Sequence, residues 1–254
     1  MTSALVRYAT LILVSGTHIS AIIGLALMIA GSLIRHISLL AVGATEGLVY
    51  AALEAEFQGG GNLTLVALIL SGVLFQMFLS ESQLQKDVGL VLQPVERVHI
   101  YGCRLLLDLL MVLAYFVYVM GFYSYLSAIM SNPEFLGFGL AVVVVGSCLV
   151  LTVHAIMFLL AVLPIDDMQK GALLVILAIF CVSSPVGPGG VSSTLFMFLA
   201  PAIVGLLPPA LVESLEQATG TTLEPTVLPL VSIVLLFGIA CIVYVSVLRR
   251  KEFP

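Results

Sequence analysis

The chain has no tryptophan and very little charge. Only 9% of its 254 residues are Asp, Glu, Lys or Arg, where a soluble globular domain carries about 25%. That shortage excludes a water-soluble fold, because too few polar side chains are available to cover its surface. With 61% hydrophobic residues and a mean hydropathy of +1.22, the bilayer is the expected solvent. The missing tryptophan argues against families built on tryptophan-rich motifs. Short alternating segments of the membrane β-barrel kind are absent too. The apolar runs are long and continuous, which predicts an all-α polytopic protein with about 20 apolar residues per crossing.

Catalytic signatures are also missing. No Gly-rich phosphate loop ending in Gly-Lys-Ser or Gly-Lys-Thr occurs, so the chain has no such means of hydrolysing ATP. There is no Cys-X-X-Cys, no His-Glu-X-X-His and no nucleophile elbow. The chain therefore reads as a non-enzymatic membrane protein with no cofactor of its own. Cys103, Cys148, Cys181 and Cys241 lie in or beside apolar runs without metal-ligand spacing. They read as small polarizable membrane residues rather than as disulfides or metal ligands. No basic tract for nucleic acid exists, and the net charge of -5 is spread over short loops.

What is present is a succession of apolar spans. The first apolar region covers 4–40 and is broken by Arg7, His18 and the pair Arg35-His36. It reads as a retained N-terminal helix followed by a span near 17–34. Residues 41–61 hold Glu46, Glu54 and Glu56, then Gly59-Gly60-Gly61, and read as an exposed loop after a partly apolar helix. Further spans are expected at 63–79, 101–129, 135–163, 171–182 and 227–248. Asn132-Pro-Glu134 ends the third and a tight loop at 164–170 turns the chain. Prolines and glycines break the helix at 183–190. Residues 183–211 are expected to be a re-entrant hairpin between the fifth and sixth of about six crossings, all within one domain, 1–254. Irregular backbone at membrane depth must be sheltered by protein, which suits that hairpin. With the loop 81–100 in the cytoplasm, all the Lys and Arg residues except Arg35 fall on the cytoplasmic side. Both termini are then cytoplasmic, in a prokaryotic plasma (inner) membrane.

Candidate functional residues fall in three groups. His18 and His154 lie inside expected spans, where ionisable groups are costly and often functional. Their scatter favours an interhelical hydrogen bond over copper or haem ligation. Arg104 and Asp108 are four apart and share a helix face, so they are expected to form an ion pair at the membrane interface. The third group is the polar segment 81–104, the longest interruption in the chain. Leu84, Val88, Val91 and Leu92 fall near helical spacing on a short amphipathic stretch, and Pro94 stops it. Arg97, Tyr101 and Arg104 climb into the next span. Such a helix fits a partner's groove and transmits motion to two spans at once; a plain solvated loop is the alternative.

This segment resembles the coupling loop of ABC-2 type permeases, the membrane half of many ATP-binding-cassette exporters. In that family the loop resembles Glu-Arg-Glu-x-Gly-Thr-Leu-Glu-Leu-Leu-x-x-x-Pro-x-Ser-Arg, followed by Gly-Lys. Here Glu81 stands for the leading acid, Leu-Val-Leu-Gln-Pro at 90–94 for the leucine–proline part, and Pro94-Val-Glu-Arg97 for Pro-x-Ser-Arg. Gly102-Cys-Arg104 stands where Gly-Lys would, while Gln85-Lys86 departs from Gly-Thr. The resemblance implies a permease homodimer or heterodimer with two ATPase subunits, which would bind ATP and Mg. It implies that Glu81, Leu84, Lys86, Asp87, Val88, Leu92, Pro94 and Arg97 contact the ATPase. It also implies that substrate moves between permease halves embedded in membrane lipid. The haem-exporter permeases of cytochrome c maturation look similar in this region.

On aromatic content, Phe75, Phe78, Tyr115, Tyr118, Phe122 and Tyr123 are candidates to line a substrate path, with ordinary helix packing as the plainer account. A structural anchor in a larger complex is the alternative function. An ion- or proton-coupled carrier is disfavoured by a shortage of buried acids.

Overall fold

The computed structural model describes residues 16–42, 48–57, 61–75, 97–163, 166–182 and 191–251. These form helices α1 (Gly16–Val42), α2 (Leu48–Phe57), α3 (Asn62–Leu74), α4 (Arg97–Met130), α5 (Glu134–Val162) and α6 (Asp167–Val182). They continue as α7 (Val191–Ile203), a 3-10 turn (Val204–Leu206), α8 (Pro209–Thr219) and α9 (Leu228–Lys251). The described residues are all-α, without a strand.

Among the described residues, five stretches are long and apolar enough to cross a membrane: Ile19–Ala41, Ala51–Leu74, Leu105–Met130, Glu134–Val162 and Leu228–Val247. The helices of α6 and α7 are shorter, at 16 and 13 residues. One sequence expectation is corrected here. Residues 48–57 are a helix whose Leu48, Ala52, Glu56 and Phe57 are buried, not an exposed loop. The reason is periodic: Leu48, Ala52 and Glu56 recur every four residues on one helix face, and Glu54 points away from it, exposed.

The α4–α5 turn follows from its residues. Ser131 adopts a left-handed φ of 51°, which ends α4. The Asn132 N–H then donates back to the Ser127 carbonyl (3.1 Å), and Asn132 Oδ1 accepts the Glu134 N–H (2.9 Å). The chain reverses, and α4 and α5 run antiparallel. Contacts descend one helix as they climb the other: Asp108 meets His154, Phe116 lies at Gly146, and Tyr123 lies at Gly139. At the last site a Cβ on Gly139 would sit 2.7 Å from the Tyr123 Cβ, so glycine is what lets the helices approach.

α5 is the central helix, packed against α4, α3, α9 and α7. α1 lies parallel to α4, by the pairs Ser32–Tyr115 and His36–Tyr118, and antiparallel to α3, by the pairs Gly24–Val73, Gly31–Leu65 and His36–Asn62. α9 runs alongside α5, with Phe237 against His154 and Tyr244 stacked on Phe158 at 4.8 Å. The bundle thus has two ends. Pro133, Phe57, Phe138 and Leu206 gather at one, here the Pro133 end. The start of α4, the end of α5 and the C-terminus of α9 gather at the other, the Arg97 end. Apolar side chains such as Ile22 and Ile34 on α1, Leu113 and Val117 on α4, and Leu235 and Ile242 on α9 stand exposed, as lipid contact demands.

Candidate functional site

Seven polar side chains are buried among the described residues: Ser32, His36, Glu56, Asn62, Thr64, Asp108 and His154. Most of them collect in one cluster at the Pro133 end. Glu56, from the last turn of α2, is its centre. Its Oε1 lies 2.8 Å from Tyr123 Oη, 3.2 Å from Asn62 Nδ2 and 2.8 Å from His36 Nε2. Tyr123 and Asn62 donate to this oxygen, and the role of His36 Nε2 is set by the imidazole tautomer. Oε2 of Glu56 and Oδ1 of Asn62 have no protein partner.

His36 is the hinge of this network. Its Nε2 faces both Glu56 Oε1 (2.8 Å) and Asn62 Nδ2 (3.2 Å): with a hydrogen on Nε2 it donates to the carboxylate, and without one it accepts from the amide. Its Nδ1 faces Tyr118 Oη at 2.9 Å. Phe122 stacks flat on the imidazole, 3.8 Å between centroids and 2° from parallel, which fixes the ring plane. One turn earlier on α1, Ser32 bonds to Tyr115 Oη at 3.0 Å. Side chains from α1, α2, α3 and α4 thus meet at a single carboxylate.

A second pair lies toward the Arg97 end. Asp108 of α4 and His154 of α5 approach to 2.6 Å (Oδ2 to Nε2), both enclosed. The contact lies off the hydrogen-bond axis, so neither Asp108 oxygen has an aligned donor. His154 Nδ1 is 2.7 Å from the Val150 carbonyl, which only accepts, so Nδ1 carries a hydrogen.

The residues expected from sequence divide as follows. Asp108 meets His154 across the bundle; the Arg104 side chain, and with it the expected i, i+4 pair, lies outside the described residues. His154 makes an interhelical ion-pair contact rather than the aligned interhelical hydrogen bond expected of it, and the His18 side chain is not described. Tyr115 and Tyr123 are buried, while Tyr118, Phe122 and Phe75 are half-buried. Tyr115, Tyr118, Phe122 and Tyr123 are committed to the polar cluster and its stacking. Phe78, Glu81, Leu84, Lys86, Asp87, Val88, Leu92 and Pro94 fall outside the described residues, as does the Arg97 side chain. Buried acids are few among the described residues, Asp108 and Glu56, and sequence reasoning had placed Glu56 in a loop. Its signal was the Leu48–Ala52–Glu56 spacing. Among the described residues no group of three or more His, Cys, Asp or Glu could hold a metal.

Comparison with protein-family models, with curated proteins and with solved structures found no match.

Proposed function

We propose that the chain is the transmembrane permease subunit of an ABC exporter, driven by ATP hydrolysed on a separate subunit. The observation that carries this reading is where the polar segment 76–96 attaches. It joins α3 to α4, and both of those helices pack on α1 and on α5. A displacement of that segment by a docked ATPase would reach four helices at once. Residues 81–104, which run from that segment into α4, carry the resemblance to the permease coupling loop.

The finer topology belongs to the same proposal. α6 serves as the fifth crossing, entering from the Arg97 end, where Gly171 lies near Phe75. The re-entrant hairpin of 183–211 takes in α7, the 3-10 turn and the start of α8. Support comes from their anchoring at the Pro133 end: Phe196 packs on Phe57, and Leu206 approaches Gly137. The Thr226 N–H donates to the carbonyl of Pro201, closing the hairpin (3.2 Å). A 13-residue α7 is about 20 Å long, less than a bilayer core. Arg97, Lys170 and the Arg249-Arg250-Lys251 tail then share the Arg97 end, which faces the cytoplasm of a prokaryotic inner membrane. The exposed faces of α1, α4 and α9 contact lipid and a second permease subunit.

Reconstitution tests the reading. The chain in lipid nanodiscs should bind an ABC ATPase subunit and raise its ATP turnover. Binding without transport would identify an anchoring subunit; no binding by any ATPase of the same cell would end the permease reading.

A further inference from the structure

Two enclosed oxygens of the polar cluster have no protein partner, and they belong to groups that touch. Glu56 Oε2 and Asn62 Oδ1 sit on side chains with no exposed surface. The other atoms of the same two groups meet, with Asn62 Nδ2 donating to Glu56 Oε1 at 3.2 Å. That contact sets the amide orientation. Oε1 already accepts from the Tyr123 hydroxyl, so an amide oxygen turned toward it would bring two acceptors face to face. Each orphan oxygen is therefore the geminal neighbour of an atom already in contact.

We propose that Glu56 Oε2 and Asn62 Oδ1 form a buried binding site for one water molecule, which bridges the last turn of α2 and the first turn of α3. Buried polar atoms are paired as a rule, and an interior water is held by two to four of them. Hydrogen bonds between oxygens are about 2.7–2.8 Å long, so one water joins oxygens up to about 5.5 Å apart. That span suits two oxygens whose groups already touch. A metal ion suits the site less, since among the described residues no group of three or more His, Cys, Asp or Glu is gathered.

The assignment does not depend on where the hydrogens of the cluster sit. A carboxylate Oε2 accepts one hydrogen of the water, and a protonated Oε2 donates to the water oxygen. In both cases the water gives a hydrogen to Asn62 Oδ1, which only accepts. The His36 tautomer leaves the site as it is, because His36 faces Glu56 Oε1 and Asn62 Nδ2 instead. The Asp108–His154 pair is no such site: its groups already meet at 2.6 Å, which leaves no room for a molecule between them. A water at Glu56 and Asn62 completes the junction of the first helices whether or not an ATPase docks on the chain.

The sequence makes the site readable, because Asn62 and Asn132 are its only asparagines. In the full chain carrying Asn132→Asp, labelled with nitrogen-15 asparagine in lipid nanodiscs, the one asparagine side-chain amide signal is that of Asn62. Its hydrogens should show a nuclear Overhauser effect to water, opposite in sign between laboratory and rotating frames, which marks bound water and not hydrogen exchange. The effect should be equal in sodium chloride and in choline chloride. If Asn132→Asp does not fold, the wild type serves, with Asn62 as the signal that a water-soluble paramagnet leaves sharp. No transfer from water to Asn62 would overturn the site. Transfer, or a rise in the thermal midpoint, that requires sodium would overturn it too, because the occupant would then be a cation.

Discussion

Asp108 and His154 show what a single side chain does at membrane depth. Each is enclosed, and each has the other as its only ionic partner among the described residues. In a low-dielectric interior such a pair adds little against an apolar pair of the same shape, yet removing one member strands the other. Asp108→Ala should therefore destabilise the bundle by about 3–5 kcal/mol, read as a fall in the thermal midpoint in detergent. His154→Ala should cost a similar amount, and the double variant less than the sum, because the second change removes the stranded group. Additive losses would mean that the two do not act as a pair. Little of this was legible in sequence. Asp108 and Arg104 satisfied the local i, i+4 rule, whereas His154 lies on another helix. Glu56 was equally hidden, since His36 is 20 residues away, Tyr123 67, and the three glycines after it imitate a loop.

Elements were far more legible than contacts. Expected spans at 135–163 and 227–248 match α5 (Glu134–Val162) and α9 (Leu228–Lys251) within a few residues. Those runs are long, apolar and punctuated by Asn132-Pro133 and by the proline-containing loop before α9, so hydropathy alone sets their limits. α2 was misread because two glutamates in ten residues outweighed a buried face of only four side chains. Helix packing depends on glycines that periodicity does not reveal. At Gly139 an added methyl meets the Tyr123 Cβ at 2.7 Å, backed by Phe138 against the Tyr123 ring. Gly139→Ala should push α4 from α5 and lower stability by about 1–3 kcal/mol. It should also loosen the Tyr123–Glu56 bond, which an altered Tyr123 environment in ultraviolet resonance Raman spectra would report. An unchanged melting midpoint would show that the interface can give way there.

For the whole molecule, orientation and coupling decide the account. Met168, 87% exposed in the first turn of α6, belongs to the Arg97 end, and Thr222 to the loop after α8. With the native cysteines replaced, Met168→Cys should react with an impermeant maleimide only in opened cells. Thr222→Cys should react in intact ones, and the reverse pattern would invert the topology. The central claim is that ATP-derived work enters through the segment between α3 and α4. Its most direct measure is the ATP turnover of the partner ATPase, with the chain in nanodiscs, for the wild type and for the triple variant Leu84→Asp, Val88→Asp, Leu92→Asp. The account predicts that the triple variant inserts normally and loses the stimulation. Equal stimulation by both chains would contradict it.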